Sequence, residues 1–445
     1  MAANILNLPA YTVTGLQENE HDYHIDAVTV REPVACPHCH HNKLDGFGRR
    51  EQMVKDLPMH GKRVGIYIDT RRYRCKSCGR TFYETLPEIN QKRLMTNRLV
   101  AWIGKQAVKR TFASIAEEVG VVEGTIRLIF KDYVADLEET VRFETPKWMG
   151  IDEIHLIKPR GVISNIQNNT IVELLPNRNK ETVVRYLYNL AGKDCIQYVA
   201  MDMWQPYRDA CQAVIPQAKV VIDKFHVVRM ANDALERVRK SLRESLTPKQ
   251  RRGLMHDRFV LLKRERDLTD QEQLLLSGWT RNYDELGEAY KLKEDFFKIY
   301  DAQSLDEAQA LFIDWKRSMS PQVADAFHDL VRAWDNWTPF ILNYFDHPVT
   351  NAYTESLNSL IRVMNRLGRG YSFEALRAKI LFAEGAHKVV KPKFERRAAN
   401  SRDYAMVGMM GRMTPDHGWG ISTEPAKNYG ADISTLVRLI EAGAL

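Results

Sequence analysis

The sequence predicts a multidomain protein: a small metal-bound module and a helix-turn-helix, then a mixed α/β domain interrupted by an all-helical segment. Three observations carry that prediction. Two Cys-x-x-Cys pairs stand at Cys36/Cys39 and Cys75/Cys78; short strand-like runs alternate with helices from Lys147 to Asp223; and a long helical stretch separates that region from a capped amphipathic helix bearing Glu355. At 445 residues the chain is too long for one compact domain, and two to four are expected. With 44% hydrophobic and 27% charged residues it can bury sizeable cores.

Residues 1 to 30 read as a polar lead-in with a possible strand. The cysteine pairs follow. Thiolates at this spacing, presented from two turns, wrap one ion tetrahedrally, so Cys36, Cys39, Cys75 and Cys78 are expected to hold structural zinc. His38, His40 or His41 could replace one ligand. A disulfide pairing competes, but the first fifteen residues show no secretory signal, which favours reduced thiols. Cys195 and Cys211 stand alone and read as buried thiols. No run approaches the ~18 apolar residues of a membrane span, so no membrane partner is expected and the reading is cytoplasmic, at the nucleoid.

Charge points to the partner. From Cys36 to Arg110 there are 17 Lys and Arg against 6 Asp and Glu, while the whole chain is net +7, so the remainder is net −4. A basic end on a near-neutral body suits a polyanion such as double-stranded DNA. KRVGIYIDTRRYRC, ending at Cys75, alternates as a strand or hairpin with its basic residues outward, and Arg71 and Arg72 on it are candidate DNA contacts. Thr111 to Tyr133 then reads helix, turn at Gly120, helix, and the second helix offers Thr125, Arg127 and Lys131 to a groove. Asp136 to Pro146 reads as a linker.

From Lys147, WMGIDEIHLI, GVISNIQ and TIVELLP suggest an antiparallel meander; a helix at Asn179–Leu190, a strand IQYVAMD, a helix at Pro206–Val214 and a strand AKVVID follow. Together they describe a mixed sheet. Asp152 lies in the first strand, Asp202 closes the fourth and Asp223 closes the fifth. Sites gather at the carboxyl ends of strands in such sheets. If strand four borders strand one, Asp202 can share a metal with Asp152, with Asp223 one strand further out and less well placed. The helical stretch from Lys224 to about Asp346 contains Trp279, Trp315, Trp334 and Trp337, read as core rather than ligand platform. Beyond it, Thr350 or Asn351 caps a helix whose Leu357, Leu360, Ile361 and Met364 face inward, while Glu355, Asn358 and Arg362 share another face. Three converging carboxylates suit hard divalent cations, and two magnesium ions ~4 Å apart can activate a nucleophile and steady a leaving oxygen at a phosphodiester. No serine-histidine-acid arrangement or phosphate loop offers a comparable case.

These motifs, in order, resemble the zinc-finger-bearing ISL-type family of bacterial insertion-sequence transposases. The resemblance rests on both cysteine pairs, the helix-turn-helix, Gly150 to Glu153, Met201 to Tyr207, Asp223 to Val227, Asn351 to Asn358, and Arg366 to Phe373. It implies a ribonuclease-H-like catalytic domain with a DDE triad, here Asp152, Asp202 and Glu355. Magnesium (two ions, manganese a possible substitute) would serve it, with Asp223, His226, Asn358 and Arg362 in support. It also implies binding of terminal inverted repeats and target DNA, cleavage and strand transfer, and a homodimer. The competing readings are a DNA-binding transcriptional regulator on a transposase scaffold and a structure-specific nuclease. The expected boundaries are 1–88 for the zinc ribbon, 89–146 for helix-turn-helix and linker, 147–226 for the first part of the core, 227–346 for the all-α insertion, 347–390 for the return of the core, and 391–445 for a C-terminal tail that is basic, then rich in Gly and Met.

Overall fold

The computed structural model describes residues 6–384; the tail at 391–445, including its basic and Gly/Met-rich parts, lies outside the described residues. Two compact units result: one runs to Glu144 and takes in Arg362–Ala383, the other comprises Thr145–Ile361.

The first unit opens with β1 (Tyr11–Glu18) and β2 (Asp22–Thr29), followed by a long hairpin of β3 (Leu44–Met59) and β4 (Lys62–Cys75). Short strands β5 (Thr81–Tyr83), β6 (Ile89–Asn90) and β7 (Met95–Thr96) complete a sheet ordered β1-β2-β4-β3-β7-β6, with β5 paired to β4. The polar lead-in is therefore part of the sheet. β2 runs parallel to β4, and Tyr11, Ile25 and Ala27 join Val64, Ile66 and Ile68 in its core. Alternation in DYHIDAVT puts only every second residue inside, which makes the segment read as polar.

Thr96 caps α1 (Asn97–Lys109) by accepting from the backbone N–H of Leu99 at 3.2 Å. Thr111 likewise caps α2 (Phe112–Val119), and Gly120 adopts the left-handed conformation, φ 75°, that turns the chain into α3 (Glu123–Thr140). The expected linker thus begins later, because α3 runs on to Thr140. Ribbon and helices are joined through buried Asp56 on β3, which accepts from Thr96 Oγ1 at 2.6 Å and from Arg98 Nε at 2.8 Å.

The second unit is built on β8 (Trp148–His155), β9 (Pro159–Asn165), β10 (Thr170–Leu175), β11 (Tyr198–Met201) and β12 (Lys219–Ile222). Their order is β10-β9-β8-β11-β12; the first three pair antiparallel, and β8, β11 and β12 run parallel. Helix α4 (Lys180–Asn189) carries the chain from β10 past β9 and β8 to the far side of β8, where β11 pairs, whereas α5 (Gln205–Val214), between β11 and β12, is the crossover that parallel neighbours require. Seven helices follow β12: α6 (Lys224–Ser241), α7 (Pro248–His256), α8 (Arg258–Leu262), α9 (Asp270–Asn282), α10 (Asp284–Ile299), α11 (Leu305–Arg317) and α12 (Pro321–Asp346). Their tryptophans are core. Trp334 stacks on Phe312 at 4.3 Å, Trp315 donates to Leu292 O at 2.8 Å, Trp337 is buried, and the half-buried Trp279 donates to Asp257. Helix α12 is tied to the sheet by Asn343, which donates to Val220 O at 2.8 Å.

Helix α13 (Ala352–Gly368) then carries Glu355, and α14 (Phe373–Glu384) closes the described chain. The segment expected as one return, 347–390, divides: residues 362–383 pack with the first unit. Buried Lys379 on α14 donates to Arg110 O at 2.8 Å and to Ala107 O, at the end of α1, and lies 4.5 Å from the Phe112 ring. No described helix is long and apolar enough to cross a membrane.

Candidate active site and metal centres

Parallel register sets the acids in one row. Ile151 pairs with Met201 and Met201 with Ile222, so Asp152, Asp202 and Asp223 each follow at the same level of three adjacent strands. Gly150 and Asp152 share one face of β8, and α13 docks there. Asn351 Nδ2 donates to Ile151 O at 3.4 Å, and Ser164 and Thr354 share a hydrogen bond of 2.6 Å. Thr354 also donates to Asn351 Oδ1. A Cβ at residue 150 would lie 2.4 to 2.6 Å from the oxygens of Ser164, Asn351 and Thr354, so only glycine allows this approach.

One helix then serves both sides of the row. Asn358 donates to Asp152 Oδ2 at 2.6 Å and to Glu153 O at 3.3 Å. Glu355, one turn earlier, faces His226, with Oε1 3.4 Å from Nε2; the same nitrogen is 2.7 Å from Asp202 Oδ1. Asp223 caps α6 through Oδ1, accepting from Phe225 N at 3.3 Å, while its Oδ2 has no hydrogen-bond partner. Asp223, His226 and Glu355 each present a ligand atom within 4.8 Å of one another. Asp223 therefore stands closer to Glu355 than its outer strand suggested. Asp152, Asp202 and Glu355 do not by themselves form so tight a group among the described residues, since the His226 ring stands between Asp202 and Glu355. Arg362 is exposed on α13 seven residues past Glu355.

The electrostatics follow from crowding. Burial, then the charge of Asp202, pushes Asp152 up to about 7, and burial does the same to Asp223. Burial alone would lower the His226 imidazolium; contact with Asp202 and Glu355 outweighs it and raises the group to about 10. Asp202 Oδ1, Asp223 Oδ2 and His226 Nε2 are buried without a well-aligned hydrogen bond. Asp223 Oδ2, without a partner, and Asp202 Oδ1, met by the His226 ring, are carboxylate oxygens of the kind that fit a hard divalent cation. Beside them opens a pocket of about 300 Å³ lined by Glu153, Trp204, Tyr207, His226 and Arg229. Trp204 is held by Arg178, 4.7 Å from its ring, which also pairs with Glu153. Arg178, Ser164 and Thr354 escaped sequence reasoning, and Asn351 was read only as a helix cap within a motif; the glycine before Ile151 was the one signal of close helix approach.

The cysteines form the second centre. Cys36 and Cys78 sulfurs are 3.7 Å apart, and those of Cys39 and Cys75 3.6 Å, with all four unbridged and grouped. Tetrahedral zinc with Zn–S of ~2.3 Å places sulfurs ~3.8 Å apart, so the spacing fits. The backbone N–H groups of Cys78 and Ser77 lower the Cys75 thiol to about 7. Cys211 is buried, whereas Cys195 is exposed.

The expected DNA contacts differ in what they can reach. Arg127 and Lys131 are exposed on α3 and Thr125 is half-buried; Arg127 pairs with Glu123 at 2.5 Å and lies 5.0 Å from the Phe112 ring. Arg71 is drawn inward by Glu32 and by Thr29 O, at 2.5 and 2.6 Å, beside buried Glu84. Arg72 packs between Phe47 and Tyr83.

The comparisons agree with this anatomy. A zinc-finger model of transposases IS204, IS1001, IS1096 and IS1165 matches residues 32–78, and the helix-turn-helix domain of transposase family ISL3 matches 84–134. The transposase for insertion sequence element IS1001 of Bordetella parapertussis is 25% identical over 331 residues, covering 72% of this chain and 80% of that protein. The transposase for element IS1557 of Mycobacterium tuberculosis is 25% identical over 325 residues, covering 66% of this chain and 72% of that protein. The ISL3 DDE transposase model spans residues 149–380, more than half the chain and the whole row of acids, so this protein belongs to the ISL3 family of DNA transposases.

Proposed function

We propose that this transposase binds the terminal inverted repeats of its insertion sequence, hydrolyses a phosphodiester at each end, and joins the freed ends to target DNA. In the first step water attacks phosphorus and the 3′-oxygen leaves, taking a proton. In the second the freed 3′-hydroxyl attacks a target phosphodiester, gives up its proton, and releases a target 3′-hydroxyl. Asp152, Asp202 and Glu355 would hold divalent cations, magnesium with manganese as substitute, which would supply activation of the nucleophile and stabilisation of the leaving oxygen.

The chain's own residues do the rest. Asn358 holds the Asp152 carboxylate, His226 steadies Asp202 and Glu355 against mutual repulsion, and Asp223 starts the helix that carries His226. Arg362 contacts DNA near the scissile phosphate. The catalytic core reads as ribonuclease-H-like, with residues 147–226 returning at 347 after the all-α insertion 227–346; an acid within β8, a second just past the carboxyl end of β11, and a third beyond a helical excursion support that reading. Structural zinc on the four cysteines orders the ribbon. Pairing two ends argues for a homodimer acting at the nucleoid.

The observation that carries the reading is the convergence of four carboxylates on one imidazole, with the buried Asp223 Oδ2 left without a hydrogen-bond partner. Purified protein with labelled element ends and magnesium is expected to cleave and to join. Asp202→Asn should abolish both while DNA binding persists, and retained cleavage refutes the triad. Asp223→Asn is the matched variant: if it alone abolishes cleavage, Asp223 is the second acid.

A further inference from the structure

The long hairpin of the first unit carries a row of side chains that neither zinc binding nor the sheet explains. Arg50 lies 4.1 Å from the Tyr83 ring; Arg72 lies 5.5 Å from that ring and 5.3 Å from the ring of Phe47; Arg74 lies 5.8 Å from Phe47. Guanidinium and ring thus alternate through five side chains. The backbone sets this up. Arg72 is directly opposite Tyr83 in the β4–β5 pairing, and a register shift between Gly46 and Arg49 turns Phe47 out of β3. Phe47 is 48% exposed and Tyr83 39%, so both rings are reachable from solvent.

The charges are unusual as well. Arg49, Lys62, Arg63 and Arg71 of the same hairpin, and Lys76 just past it, each have a carboxylate partner. Arg50, Arg72 and Arg74 have none among the described residues: Arg50 donates to Gln52 at 3.0 Å and Arg72 to Thr81 at 2.9 Å. Three neighbouring guanidinium ions without acids repel one another. Rings between them offset part of that cost and restrict the orientation of each planar fork. A rigid, uncompensated cationic row is matched by an anionic partner with regularly spaced charge.

We propose that the row Arg50, Tyr83, Arg72, Phe47, Arg74 is a docking strip for the phosphate backbone of duplex DNA, separate from α3 of the helix-turn-helix. Single-stranded DNA held by base stacking is the other nucleic-acid chemistry that aromatic residues serve. Both rings are already taken by guanidinium ions, which leaves phosphate as the ligand. The strip reads no sequence; it adds affinity and register. It rests on the reading of this chain as a DNA-binding transposase.

The test is fluorescence anisotropy with full-length protein, without magnesium, on a labelled mixed-sequence duplex and the matching single strand across a salt series. Each phosphate contact contributes about 0.9 to the slope of log affinity against log salt, so Arg50→Gln with Arg72→Gln and Arg74→Gln should flatten the duplex slope by about 2.7. Lys62→Gln, which removes one charge as each single arginine change does but from a residue paired with Glu18, should leave the slope in place. Phe47→Leu with Tyr83→Leu keeps the charges but not their order, and should weaken duplex binding with little change of slope. Zinc content checks that each variant is folded; if the triple variant loses zinc, the exposed single changes Arg50→Gln and Arg74→Gln carry the test, each flattening the slope by about 0.9. An unchanged slope and affinity in folded variants overturns the strip, and so does a defect confined to single-stranded DNA. Failure of the unaltered protein to bind duplex would instead overturn the DNA-binding reading itself.

Discussion

Placing one methyl group on Gly150 tests how the third acid is delivered. In Gly150→Ala the new Cβ would meet Ser164 Oγ at 2.4 Å, Asn351 Oδ1 at 2.5 Å and Thr354 Oγ1 at 2.6 Å. Those three groups are bonded in a chain, Asn351 to Thr354 to Ser164, so none yields alone. Restoring ~3.2 Å requires α13 to retreat by ~0.7 Å, at the ~1–3 kcal/mol typical of an overpacked core. Glu355 and Asn358 ride on the same helix. Displacement on that scale is expected to lower cleavage by about 100-fold. The assay is magnesium-dependent cleavage of labelled element ends at saturating DNA, with binding followed separately; binding should persist, because the ribbon and helix-turn-helix belong to the other unit. Gly278→Ala is the control, since nothing lies within 4 Å of its added Cβ. Cleavage within twofold of the parent, with unaltered thermal stability, would refute the claim that close packing at Gly150 positions the acids.

Asn358→Ala removes the donor to Asp152 and should raise the magnesium needed for half-maximal cleavage by about 10- to 100-fold, as for other residues that orient a metal ligand; an unaltered magnesium titration counts against it. Cys75→Ser should release the metal and loosen the ribbon, read as zinc content by emission spectrometry together with weaker duplex binding; full zinc occupancy would contradict a four-cysteine site. Burial pushes Lys379 down to about 7, below its unfolded value, so between those two pH values the unfolded chain binds more protons. Stability of the first unit should therefore rise with pH from about 7 towards about 10. Lys379→Met should remove that part of the slope in denaturant titrations, and identical slopes would show that the ammonium is not desolvated.

Much of the architecture was legible locally. Short apolar runs mark β8 to β12, Gly120 marks the turn before α3, and two Cys-x-x-Cys pairs mark the ribbon. Each of these signals is a period or spacing within a few turns of chain.

Other features depend on contacts that no local period encodes. Asp223 reads as the outermost strand end, yet parallel register puts it level with Asp202, and His226 one turn into α6 reaches both Asp202 and Glu355. Arg71 and Arg72 are neighbours of equal charge; strand alternation sends one toward Glu84 and the other between two rings. The same holds for α14, whose Lys379 finds the carbonyls that end α1 some 270 residues earlier in the chain. Sequence alone determined which residue types were present for metal and DNA chemistry and in which elements they lie. Only the tertiary structure decided which of them meet, because side-chain direction and the docking of α13 on Gly150 are settled by packing between segments about two hundred residues apart.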